Sequence, residues 1–236
     1  MGDKRSTLQL AVDDNVAWCS AVCDAHRSDQ RMSANVWVNL NPSPPFYPNI
    51  ITRRPGPQSA VLDAIEQIRA RNPSLQFGIK DSFADLQLDE SGFRQAISGS
   101  WYGGLPFKRQ LSDVKGWEPI ASEDDLRCWE THWGGTDTRR IFPASLLDDK
   151  RIKFWRQKQM NADGVSGFVS FYSEASVGLS NWFTPHGGED LPDGALDAVA
   201  TIFPEVPVVL WSSSDLTCAN TGLERLAPLR IWLPAH

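Results

Sequence analysis

The chain alternates between runs with helical spacing and short apolar runs bounded by turn residues. Leu10–His26 reads as a helix. Asn35–Leu40 (NVWVNL) alternates polar and apolar residues, as a strand with one buried face does. A Pro-rich turn follows, and a strand running from Phe46 ends at Thr52. Ser59–Arg71 is an amphipathic helix with Val61, Leu62, Ile65 and Ile68 on one side. Phe77–Ile79 predicts a short strand, Phe83–Leu88 a short helix with Gly92 as its C-cap, and Ala96–Tyr102 a strand. Further on, Ile152–Gln159 predicts a strand and Asn161-Ala162-Asp163-Gly164 a hairpin turn. Val165–Phe171 and Val177–Phe183 predict strands paired across Tyr172–Ser176.

The pattern occurs twice. PNIIT at Pro48–Thr52 matches SNWFT at Ser180–Thr184, and each precedes a Pro/Gly-rich stretch. LDAI at Leu62–Ile65 matches LDAV at Leu196–Val199 in helical context. Asp85-Leu86 then faces Asp215-Leu216, and Gly92-Phe93 faces Gly222-Leu223. Loop insertions account for the small drift in spacing. The repeat predicts two tandem α+β halves, residues 1–115 and 116–236, each a mixed, mostly antiparallel sheet flanked by helices. The junction, Leu105–Ser122, is not a Gly/Ser linker, so the halves are expected to pack together.

Composition narrows the function classes. The 236 residues are 41% hydrophobic, enough for a core, and ten tryptophans serve first as core filling. A net charge of −6 with no basic stripe argues against a nucleic-acid partner. Apolar runs such as Val206–Trp211 are too short to span a bilayer, and the N-terminus lacks a secretory apolar stretch. Cys19 and Cys23 lie one helical turn apart with no further ligands at metal spacing. Reduced, buried thiols and a cytoplasmic location are therefore expected, with no bound metal.

The order strand, glycine loop, helix, strand, helix, closing strand resembles the GCN5-related N-acetyltransferase superfamily. GVSGFVSFYSEASVGLSNWF looks like its central antiparallel strands. PVVLWSSSDLTCANTGLERLAPLRIWL looks like its terminal strand, helix and strand. The resemblance implies two tandem degenerate copies and acetyl-CoA, or another acyl-CoA, bound in a V between two central strands. It also implies a glycine loop around the pyrophosphate, where free amides at a helix start meet an anion. The reaction implied is N-acyl transfer to a small-molecule or peptide amine.

Residue by residue, Arg53, Arg54, Gly56, Gln58 and Ser59 stand where the resemblance places the cofactor loop. Gln58 replaces a small residue, while Pro55 and Pro57 remove two amide donors. An Arg-Pro-Gly turn with solvated arginines is the plain structural alternative. In the second half, Thr184-Pro185-His186-Gly187-Gly188 lacks the arginine, and Glu189, Asp190 and Asp193 add negative charge. The position expected to protonate the leaving thiolate holds Leu88 and Cys218, and neither is tyrosine. Cys218 and His132 are candidate catalytic groups, each with an alternative reading as a packed structural residue. Asn181, Trp182 and Trp211 are candidates for the substrate pocket. Three functions stay open: an acyl-CoA-dependent N-acyltransferase, an inactive relative kept as a ligand- or protein-binding module, or the same fold with its cleft used for other chemistry, such as binding a different acyl carrier or a small acid.

Overall fold

The computed structural model describes residues 4–107, 116–135, 140–157, 165–185, 187 and 190–235. The chain opens with helix α1 (Lys4–Ala25), followed by β1 (Gln30–Met32), β2 (Val36–Asn39) and β3 (Ile50–Thr52). Helix α2 (Gln58–Arg71), β4 (Ile79–Asp81) and β5 (Phe93–Gly104) complete the first part. Then come β6 (Trp117–Pro119), α3 (Glu123–Gly134), β7 (Ile152–Gln157), β8 (Gly167–Tyr172) and β9 (Val177–Phe183). Helix α4 (Ala195–Ile202), β10 (Val208–Ser212) and β11 (Leu223–Pro234) close the chain.

All eleven described strands form one sheet in the order β1-β2-β3-β4-β11-β5-β10-β9-β8-β7-β6. The sheet is mostly antiparallel. Two pairs are parallel, β3 with β4 and β9 with β10, and a helix connects each pair, α2 in the first and α4 in the second. The last strand, β11, lies between β4 and β5, and β5 lies against β10. The sheet therefore runs without a break across the junction at residue 115. Among the described residues, no helix is long and apolar enough to cross a membrane.

Local chemistry explains the helix ends. Ser122 Oγ accepts the Asp125 amide at 3.1 Å, and Glu123, Asp124 and Asp125 face the positive end of α3. Arg69 and Arg71 sit in the last turn of α2, at its negative end. Strand β9 has the predicted bounds, and β3 has the predicted end. Strand β2 differs in being buried along its whole length, because α2 covers one face and α1 packs on the other.

Two predicted helices are absent. Residues 83–88 form a loop whose amides are captured by side chains. Asp81 accepts the amides of Asp85 and Leu86, each at 3.1 Å, and Gln58 accepts that of Gln87 at 3.0 Å. Only a single 3-10 turn follows, Asp89–Ser91, and Gly92 does cap it, in a left-handed conformation with φ 85°. Likewise residues 213–222 form bends. Ser212 Oγ takes the Ser214 amide, Tyr102 OH takes that of Leu216, and Thr221 Oγ1 bonds to the Cys218 carbonyl. The hairpin at residues 161–164 lies outside the described residues.

Helix α1 lies over the middle of the sheet, packing on β5, β8, β9, β10 and β11. Its Trp18 is the hub of an aromatic core, with Tyr47, Phe142, Phe154 and Phe171 rings 6.2–6.4 Å away. The opposite face near β4 holds Ile50, Val61, Ile65, Ile79 and Phe93, and the C-terminal strand contributes Trp232 to it. Trp232 is 2% exposed, and its indole N–H donates to Asp81 at 3.3 Å. Trp232→Ala is expected to cost about 3–5 kcal/mol of unfolding free energy, read from the urea midpoint. A loss below ~1 kcal/mol would mean that β11 is not an integral part of this core.

Candidate functional site

The site begins where β9 and β10 part. The two strands are in parallel register at Val177 with Val208 and at Gly178 with Val209. Beyond that point β9 bulges. Its register against β8 shifts between Gly167 and Val169, and Asn181 takes a left-handed φ of 51°. Asparagine tolerates this conformation better than most residues, and the bulge turns β9 away from β10. The corresponding pair β3 and β4 does not open this way, because Thr52 Oγ1 accepts the Ser82 amide at 2.8 Å just beyond the ladder.

A cavity of about 690 Å³ lies beyond the parting. Ser180, Asn181 and Trp182 form one bank, and Trp211, Ser212 and Ser213 the other. Trp18 and Asn15 of α1 close it from above, and Lys80 of β4 forms the far wall. Phe46, which is 79% exposed, stands at the rim edge-to-face with Trp133 at 5.4 Å. Asn181 is fixed by two bonds to its carbonyl oxygen, from Trp18 Nε1 at 3.2 Å and Tyr47 OH at 3.4 Å. Its amide nitrogen has no partner among the described residues, which leaves a donor at the lip of the cleft.

Burial dominates the electrostatics. Lys80 is 3% exposed, and burial lowers its pKa to about 8. Its ammonium donates to Asn15 Oδ1 at 2.9 Å and sits 4.2 Å from the Trp211 ring centroid. Burial pushes Cys19 up to about 11 and Tyr47 well above its usual range, so both stay protonated at neutral pH. Behind the cavity, burial raises Asp14 to about 7, against hydrogen bonds from Ser176 and the Gly178 amide. No cluster of acidic, histidine and cysteine side chains among the described residues is arranged to hold a metal.

The expected residues fall into separate places. Asn181, Trp182 and Trp211 all line the cavity. The Arg53 to Ser59 loop does not line it, and most of its donors are engaged within the chain, the buried Arg53 Nε being an exception. Arg53 bonds to Asp13 at 3.2 Å and to the Ser33 carbonyl at 2.6 Å, and Arg54 lies 3.9 Å from Asp13. The Gly56 amide donates to Asp85 at 2.7 Å, so a carboxylate of the chain takes the place of an anion. Gln58 donates to the Gln87 carbonyl at 2.7 Å. Ser59 lies in the first turn of α2.

Cys218 is half-buried away from the cavity, its thiol raised by burial and bonded to the Leu216 carbonyl at 3.6 Å. His132 is exposed on α3, bonded through Nδ1 to the Cys128 carbonyl at 2.7 Å, with its ring stacked on Phe183. His186, Gly188 and Glu189 lie outside the described residues, while Asp190 and Asp193 line a second depression beside α4. The sequence reading missed Lys80, Asn15 and Trp18. The usable signal was slight: a lysine late in the strand-like Phe77–Asp81 run, where strand alternation places it on the face opposite to Asp81.

No protein-family model and no curated protein matches the sequence. Among solved structures, the fold is similar to a conserved protein of unknown function from Staphylococcus epidermidis. That match has 12% identity and a TM-score of 0.55, and it covers 89% of this chain and 94% of the other. A GCN5-related N-acetyltransferase from Sphaerobacter thermophilus matches at 11% identity over 86% of this chain and 81% of its own, with a TM-score of 0.49. Another from Anabaena variabilis matches at 11% identity and a TM-score of 0.40, and this chain spans 57% of its length. At 12% identity the first likeness is one of fold, and the two acetyltransferases superpose less closely.

Asp14 generates a pH prediction. Its folded-state pKa lies above the unfolded value of 3.8, so its contribution is fully present below that pH and is lost as pH rises through about 7. Urea midpoints from pH 4 to 8 should show this decline in the wild type and a flatter profile in Asp14→Asn. Identical profiles would contradict the buried, proton-retaining carboxyl.

Proposed function

We propose that the chain is an acyl-CoA-dependent N-acyltransferase built from two tandem acetyltransferase-like halves, residues 1–115 and 116–236, whose closing strands are exchanged. The strand order supports the tandem reading. Read from the two ends, β1-β2-β3-β4-β11 and β7-β8-β9-β10-β5 place matching elements in matching positions, with β6 outside the match. The observation that carries the functional reading is the parallel pair β9 and β10, which parts at a bulge and opens directly into the cavity.

The cleft fits the slender thioester arm of an acyl-CoA. Beyond Gly178, β9 no longer pairs with β10, so its backbone groups on that side are open to an extended amide-bearing chain. An acyl thioester supplies an electrophilic carbonyl to an amine. In this reading the Asn181 amide donates to that carbonyl oxygen, held in place by Trp18 and Tyr47. Trp182 and Trp211 flank the amine and exclude water. In this reading the site lies at the second parallel pair rather than at the Arg53 loop.

A second reading is a ligand-binding module without transfer. Its support is the phosphate end: Asp85 occupies the Gly56 amide, and Asp190 and Asp193 stand beside α4, where a pyrophosphate would be repelled. Thermal unfolding with acetyl-CoA separates the two. At 100 times the dissociation constant, bound ligand stabilises by about 2.7 kcal/mol. The shift should persist in Arg53→Ala/Arg54→Ala and disappear in Ser180→Trp, which fills the cleft. Loss in the arginine variant alone would return the site to the first loop. No shift and no thiol release with any amine would leave the binding module as the function.

A further inference from the structure

Lys80 is a buried ammonium with no carboxylate partner among the described residues. Among the described residues its only hydrogen bond is to the neutral Asn15 amide, at 2.9 Å. The neighbouring Asp81 lies on the other face of β4 and pairs with Arg230 at 3.1 Å. Asp14, next to Asn15 on α1, is turned to Ser176 at 3.0 Å. What surrounds the ammonium is aromatic: the Trp211 ring centroid at 4.2 Å and that of Trp101 at 5.5 Å. An uncompensated buried cation is costly, and a leucine or methionine would fill this wall without that cost. Yet Lys80 lines a cavity large enough for a small molecule, between indole faces suited to a flat apolar body.

We propose that the cavity binds a small carboxylate with an aromatic or aliphatic body, and that Lys80, with Asn15 beside it, is the residue that holds the carboxylate. The ligand supplies the missing counter-charge, the ammonium supplies charge-assisted hydrogen bonds, and Trp18, Trp182 and Trp211 enclose the apolar part. The inference concerns equilibrium binding and does not require acyl transfer. If transfer does occur here, the carboxylate belongs to the amine acceptor.

Titration calorimetry of the full chain tests it with phenylacetate and indole-3-acetate, each beside its primary amide. The acids should bind about tenfold or more tightly than the amides, as expected for a charge-assisted bond. In Lys80→Met, which keeps the stem and volume, the acid preference should vanish. Should that variant not fold, pH decides. Acid binding by the wild type should weaken as pH rises through about 8, where Lys80 loses its proton. Cys19 beside Lys80 stays protonated to about 11 and Tyr47 is held well above its usual range, while Asp14 behind the cavity titrates at about 7 and overlaps, so the profile is also read in Asp14→Asn, where the weakening near 8 should remain. Equal binding of acid and amide, an acid preference kept in Lys80→Met, or no binding of any of the four probes at millimolar concentration would overturn the proposal. None of the probes carries an amine or thioester, so failure here leaves acyl transfer to stand or fall on acetyl-CoA binding.

Discussion

The pairing of β5 with β11 is the constraint on which the rest of the structure depends. These two twelve-residue strands run antiparallel from Phe93 with Pro234 to Gly104 with Leu223. β5 lies near the middle of the chain and β11 is the last described strand, and each pairs with a strand from the other half of the sequence: β11 joins β4, and β5 joins β10. Without β11, β4 would keep a partner on one edge only, and the core around Ile65 and Phe93 would lose Trp232. Pairing at this sequence separation forfeits much loop entropy before it gains contacts, so the apolar burial it brings must be substantial. Trp101, Tyr102, Leu229 and Trp232 supply it, each nearly or wholly buried.

The site follows from that seam. With β4, β11, β5, β10 and β9 fixed side by side, α1 has one continuous surface to lie on, and its Asn15 and Trp18 reach across to β4 and β9. The cavity is therefore composed of both halves: Lys80 and Tyr47 from the first, Asn181 and Trp211 from the second. The two parallel pairs are not equivalent. Thr52 latches one, and the bulge at Asn181 opens the other.

Much of this was legible in the sequence where local pattern and final environment agree. Val177–Phe183 reads as a strand because its apolar and β-branched residues are buried there, and Ser59–Arg71 reads as a helix because one stripe faces the sheet. The pocket residues Asn181, Trp182 and Trp211 could be picked out because they flank the second strand–loop–helix–strand unit. The misses come from non-local competition. Asp81 and Gln58 capture the amides of 85–87, which no periodicity within 83–88 reveals. The bonds that Asp13 and Asp85 make to the Arg53 loop are equally hidden in the sequence, since those carboxylates stand 40 and 29 residues away. Lys80 was hard to single out for the same reason. A lysine beside an aspartate reads as a solvated pair, and only the sheet order shows that each faces a different buried environment.

Fragment complementation tests the seam most directly. Residues 1–115 and 116–236 would be produced separately and followed by near-ultraviolet circular dichroism and urea unfolding, alone and mixed. Exchange of β5 and β11 predicts no cooperative unfolding for either fragment alone and recovery of a cooperative transition on mixing. A fragment 1–115 that unfolds cooperatively without its counterpart would contradict it.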